Sequence, residues 1–100
     1  MDPDLSDLTI ADVVLSTAGR DAGQLFYVIG TDGSFLMLVN GKDRTIEKPK
    51  KKRTKHTKKV LRSETRVAAK LRNGDKVLNS ELRRELAYLS RGLQSNNLGG

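Results

Sequence analysis

The stretch "LFYVIGTDGSFLMLV", residues 25–39, holds two apolar runs of strand length separated by a short turn signal. Neither run alternates apolar with polar. A strand with one face in water shows such alternation, because successive side chains point to opposite faces. Five-residue runs bounded by Gly, Asp and Ser are also too short for independent helices. Both faces of these strands must therefore be covered. One face is expected to line a barrel, and the other to be covered by the C-terminal part of the chain or by a partner. "DVVLS" (12–16) precedes the pair and "RTIEK" (44–48) follows it. The turn signals "TAGRDAG", "GTDGS" and "NGKD" separate the runs. The sequence thus predicts four short strands, 12–16, 24–30, 34–39 and 44–48, forming a small antiparallel barrel. Asn40-Gly41 and Asp32-Gly33 each read as a type I′ hairpin turn, whose two central residues need positive φ.

The last third of the chain changes period. "SETRVAAKLRNG" (63–74) places Val67, Ala68 and Leu71 on one helical face, with Ser63 as the expected cap and Gly74 as the stop. "NSELRRELAYLSRG" (79–92) repeats Leu82, Leu86 and Leu89 at helical spacing, with Asn79 as cap and Glu81 in the first turn. The expected fold is mainly β with C-terminal helices: residues 1–7 an acidic tail, 8–61 the barrel with a basic segment at 48–59, 62–92 two helices packed on the barrel, and 93–100 a disordered tail. Phe26, Tyr27 and Phe35 stand at strand positions among aliphatics and are expected in the core. Tyr88 is expected at its edge with a wet hydroxyl.

Charge is distributed unevenly. Residues 1–41 contain six aspartates and Arg20, a balance of −5; residues 42–62 carry eleven basic and two acidic residues, +9; residues 63–100 carry +3. The middle stretch supplies more than the whole net charge of +7. Cations this dense repel one another and call for a polyanion or ample water. They are not expected to contribute to a core. No cysteine is present, so disulfides and thiolate metal sites are excluded, in keeping with a reducing cytoplasm. The longest apolar run is far short of the roughly 20 residues that span a bilayer, and the acidic start does not resemble a secretory signal. The single histidine, His56, stands among lysines without a neighbouring carboxylate. The aspartates follow no metal-ligand spacing, and no phosphate-binding glycine loop with its lysine is present. The reading is a non-enzymatic binding protein without metal or cofactor.

The candidate binding residues fall in two places. In the run, Lys48, Lys50, Lys51, Lys52, Arg53, Lys55, Lys58 and Lys59 would neutralise phosphates and release condensed counterions, a strong and salt-dependent contribution to affinity. His56 lies among them as a surface or packing residue that can also reach a base or phosphate. Lys42 and Arg44 adjoin the run. In the loop "STAGRDAG" (16–23), Gly19 and Gly23 allow positive φ and close approach. Arg20 offers a planar fork suited to phosphate or base, and Asp21 is expected to cap the loop's own amides and steady Arg20. Two other readings remain. One is a transcription or translation adapter that binds a protein through the barrel, with the leucine stripe as docking face; the other is a basic DNA binder.

"DVVLSTAGRDAGQLFYVIG", then "FLMLVNG" and "RTIEKPKKKRTKH", resembles a KOW domain over roughly residues 8–61. More narrowly, it is similar to bacterial KOW-domain RNA-binding proteins and, through them, to the fourteen-e family of large-subunit ribosomal proteins. It departs from the pattern at Ala11-Asp12, where many KOW segments carry glycine. The resemblance implies an SH3-like barrel that binds structured ribosomal RNA, with the large subunit favoured. It implies contact through Gly19, Arg20, Asp21, Gly23 and the basic segment, and a protein partner in translation or transcription; the chain as a whole is read as a monomeric cytoplasmic protein.

Overall fold

The computed structural model describes residues 8–99, with side-chain environments through Leu93; the expected acidic tail at 1–7 lies outside the described residues. Five strands, β1 (Asp12–Ser16), β2 (Leu25–Asp32), β3 (Phe35–Val39), β4 (Lys50–Arg53) and β5 (Thr57–Arg62), form one antiparallel sheet in the order β4-β3-β2-β1-β5. A single 3-10 turn, Thr54–His56, joins the two edge strands. Helices α1 (Arg66–Asn73) and α2 (Asn79–Gly99) follow. The result is a small barrel-like β domain carrying two C-terminal helices, as the sequence implied.

The non-alternating runs are explained by two cores. Val14, Phe26, Val28, Leu36 and Leu38 pack together on one face of the sheet. Val13, Tyr27 and Val39 point the other way and meet Val67, Val77, Leu82 and Leu86. The C-terminal helices therefore cover the second face. The register slips by one residue at Ile29 in β2 and at Val60 in β5, and such bulges bend and twist a sheet that must coil.

Several local expectations are corrected. The β2–β3 hairpin turns at Gly33-Ser34, with Asp32 paired to Phe35. Only Gly33 has positive φ (60°), the pattern of a type II′ turn and not type I′. Asn40-Gly41 is not a hairpin turn: Asn40 does not have positive φ. Its side-chain Oδ1 instead accepts from the amides of Lys42 (2.9 Å) and Arg44 (3.0 Å), which folds 40–49 into a loop. "RTIEK" lies in that loop, and the fourth strand is "KKKR". Gly41 (φ 78°) sits against the first turn of α2, where a Cβ would collide with the Asn79 carbonyl. Asn79 does not cap its helix: its Oδ1 accepts from the Ile46 amide (2.9 Å) and its Nδ2 donates to Glu47 Oε1 (2.9 Å). Arg83 adds a hydrogen bond to the Gly41 carbonyl, so α2 is latched to the loop at three points.

The α1 cap is Thr65, whose Oγ1 accepts from the Ala68 amide (3.2 Å), and Gly74 (φ 75°) ends the helix as expected. Ser63 is buried beneath it. Tyr27 Oη lies 3.0 Å from Ser63 Oγ and donates to Glu85 Oε1 at 2.7 Å, so a buried network ties β2 to both helices. Helix α2 runs past Gly92 to Gly99, where a disordered tail was expected from 93. Gly92 lacks the left-handed conformation that stops a helix, and alone it only weakens one. Tyr88 is 71% exposed, not at the core edge. It lies two residues past Leu86, and about 200° of helical rotation carries it to the opposite side.

Ala11 is the only non-glycine residue with positive φ (74°) among the described residues, and it is fully buried. Its amide donates to the Val28 carbonyl at 2.7 Å, which fixes this conformation at the mouth of β1. Left-handed backbone costs an L-residue roughly 1–2 kcal/mol. Ala11→Gly should therefore leave stability within about 0.5 kcal/mol of the parent, relief of strain offsetting the lost methyl and the added chain entropy. Ala68→Gly, equally buried in α1, should cost about 1–2 kcal/mol. Urea unfolding midpoints of the two variants test the contrast.

Candidate nucleic-acid interface

The basic segment is built into the sheet. Strand β4 pairs with β3 through Phe35↔Arg53, Leu36↔Lys52, Met37↔Lys51 and Leu38↔Lys50. A strand cannot place four successive side chains on one side. Lys51 and Arg53 therefore point out, while Lys50 and Lys52 fall on the face of Leu36 and Leu38. Lys52 is buried, 7% exposed, contrary to the expectation that cations so dense stay out of the interior. Its Nζ donates to Asp21 Oδ1 (2.8 Å) and to the Ala18 carbonyl (2.8 Å).

This pairing also redefines the role of Asp21. The carboxylate turns inward and does not cap the loop's amides. Oδ1 accepts from Ser16 Oγ (2.8 Å) as well as from Lys52, and Oδ2 faces Lys50 Nζ at 3.6 Å. Burial alone would raise the carboxyl's pKa. The hydrogen bonds from Lys52 and Ser16, with the charges of Lys52 and Lys50, outweigh it and hold the pKa at about 2 against the ordinary 3.8. Gly19 (φ 84°) passes over this pair, and a Cβ there would lie 3.5 Å from Lys52 Nζ. Gly23 (φ 91°) closes the loop by donating its amide to the Ser16 carbonyl (2.8 Å). Arg20 is left exposed at the tip.

Several of the expected residues converge. Arg20, Asp21, Arg44 and Lys50 line one open cavity of about 230 Å³ together with Gln24 and Asp43. Lys42 and Lys48 lie exposed on the 40–49 loop. At the other end of β4, Lys55 is exposed and His56 half-buried in the 3-10 turn. The His56 carbonyl accepts from the Thr17 amide (2.9 Å), joining that turn to the Gly19 loop. On β5, Lys58 is exposed, but Lys59 leans to the fully buried Asp12 at 3.5 Å. The run thus divides. Lys52 and Lys59 serve buried carboxylates, Lys50 is shared with Asp21, and Lys48, Lys51, Arg53, Lys55 and Lys58 remain exposed.

Phe35 was also assigned to the wrong place from sequence. Phe26 and Tyr27 are fully buried as expected, but Phe35 is only half-buried, on the outer face of β3. Lys51 Nζ stands 4.7 Å and Arg53 Cζ 5.2 Å from its ring centroid. Strand parity was the available signal: Leu36 and Leu38 inward require Phe35 and Met37 outward. The leucine stripe of α2 is not open for docking. Leu82 and Leu86 are buried against Val13, Tyr27 and Val39, which removes the feature on which an adapter reading through that stripe depended.

Stability should follow the protonation of Asp21. A depressed carboxyl pKa contributes stability that is complete above the unfolded value, here pH 3.8, and is lost as pH falls toward 2. The loss should be about 1–2 kcal/mol from this group. Asp21→Asn leaves the Lys52 ammonium buried without a counter-ion and should cost about 3 kcal/mol at pH 7. It should also remove this part of the acid dependence. Urea melts of both proteins at pH 2.5, 4.5 and 7 would show it; a variant as stable as the parent at pH 7 would contradict the structural role given to the pair.

Among the described residues no group of acidic or histidine side chains could hold a metal ion, and no helix is long and apolar enough to cross a membrane. Neither the models of known protein families nor the sequences of curated proteins give a match to this chain.

Proposed function

We propose that this protein is a non-enzymatic RNA-binding module whose ligand is structured ribosomal RNA, the large subunit being favoured. It would act in the cytoplasm as a monomer. The observation that carries the reading is that the basic segment is held as strand, 3-10 turn and strand within the sheet. The backbone thereby sets the spacing of its exposed cations, Lys51, Arg53, Lys55 and Lys58. Ordered charge of this kind matches a folded polyanion better than a free lysine tail does, because its spacing is set before binding. Arg20, Arg44 and Lys50 add a second cationic group at the rim. The strand order and the 3-10 turn between the edge strands are compatible with an SH3-like barrel, the architecture that the resemblance to KOW domains implies. That resemblance also directs the reading to RNA on the ribosome.

Binding of a folded ribosomal RNA fragment should exceed binding of duplex DNA at equal salt. Replacing Lys51, Arg53 and Lys55 by Gln should flatten the slope of log K against log salt by about two, on the order of 0.7–0.9 per lost phosphate contact. Replacing Arg66 and Lys76, exposed on and just beyond α1, should leave the slope nearly unchanged. Equal affinity for duplex DNA would count against the ribosomal reading. An unchanged slope in the triple variant would take the segment out of the interface.

A further inference from the structure

Resting on that RNA-binding reading, we infer that the outer face of the β3–β4 pair is a seat for one unpaired nucleotide, with Phe35 as the surface on which its base stacks. Helices α1 and α2 cover the outward side chain of Val39 but not those of Met37 and Phe35 further along β3. The result is an aromatic ring at the uncovered end of a sheet face, directly opposite Arg53 and diagonal to Lys51. Both cations lean over the ring, at 5.2 and 4.7 Å. Lys51 is about half exposed, and its ion pair with Asp32 (3.4 Å) lies in solvent, so it is held weakly and is free to exchange that carboxylate for a phosphate. On the other side of Arg53, a cavity of about 340 Å³ is lined by Gly33, Ser34, Arg53, Thr54 and Lys55. This is the lower end of the size range of small-molecule sites, and through Arg53, which the ring and the cavity share, it adds Ser34, Thr54 and one further cation, Lys55, to the surroundings of the aromatic face.

The chemistry fits an unpaired nucleotide and not a duplex. Base pairs in a helix are stacked on each other and offer no free face, whereas a base splayed from a loop or bulge can lie on Phe35 with Arg53 alongside. Lys51 and Lys55 would then meet the flanking phosphates. Gly33 and its tight turn keep side chains away from the approach.

The test uses two RNAs with the same stem. One is closed by a loop carrying 2-aminopurine, whose fluorescence reports stacking; the other is a blunt duplex. Wild-type protein should prefer the stem-loop and change the 2-aminopurine signal. Phe35→Leu should lower stem-loop affinity about tenfold, within the range of base–aromatic stacking, while duplex affinity and salt slope stay as in the parent. Phe35→Trp should keep the preference. The 2-aminopurine signal of the unaltered protein reads the contact directly, whatever the stability of the variants. Wild-type binding that is equal for both RNAs, or a Phe35→Leu protein with wild-type loop affinity, would overturn the nucleotide seat and leave RNA binding standing. Failure to bind either RNA would overturn both.

Discussion

The hydrogen-bonded pair of Lys52 and Asp21 fixes what the rest of the sheet cannot. Strands β1, β2 and β3 are placed by apolar side chains, but β4 reads Lys-Lys-Lys-Arg and has none. A one-residue slip of a strand exchanges its two faces. For a strand with an apolar face such a slip exposes hydrophobic surface and is costly; for β4 it would exchange lysine for lysine. The carboxylate of Asp21, with Ser16 Oγ and the Ala18 carbonyl beside it, holds the buried ammonium group of Lys52 at hydrogen-bond distance, while Lys50 stays further off at 3.6 Å and more exposed. Buried ion pairs often add little net stability, because desolvation offsets attraction. Here the pair distinguishes the observed register of β4 from a slipped one, and it also ties the Gly19 loop to the far edge strand.

A second set of polar contacts does similar work for the helices. Leucines on α2 would pack against many apolar surfaces. Asn79, which holds the Ile46 amide, and Arg83, on the Gly41 carbonyl, fix where along the 40–49 loop the helix starts. Glu85 receives both Tyr27 and Thr65, which sets the rotation of α2 and the start of α1 together. The apolar core provides most of the driving force, and these few hydrogen bonds select one packing among several that hydrophobic contact alone would permit.

The first three strands, the stop at Gly74 and the covering of the sheet by the helices were legible in the sequence, because each follows from local pattern or from the need to hide apolar side chains. The fourth strand was not. Thr45 and Ile46 favour a strand locally and lysine does not, so propensity pointed to 44–48. The side-chain bonds of Asn40, and the amide of Ile46 on Asn79, drew that stretch into a loop. Asn40-Gly41 was misread for a related reason: its glycine serves the close approach of a helix 38 residues further on, which no short window contains. For the candidate site, the exposed arginine at position 20 and the cations as a class were visible. Which cations are free, and that Phe35 stands among them, depends on strand parity and therefore on the register of β4.

That dependence joins fold to proposed function. The run from Lys48 to Lys59 holds eight cations, and a charge count alone would give them equal weight toward RNA. The pleat does not. It directs Lys52 to Asp21, and the bulged pairing of β5 brings Lys59 to Asp12, so buried carboxylates consume two charges of the run. The same alternation that turns Lys52 inward turns Lys51 and Arg53 outward beside Phe35. Affinity for a polyanion should then track the outward residues and not the length of the lysine run. A chain that kept every lysine but lost Asp21 would keep its net positive charge and lose the constraint that aims it.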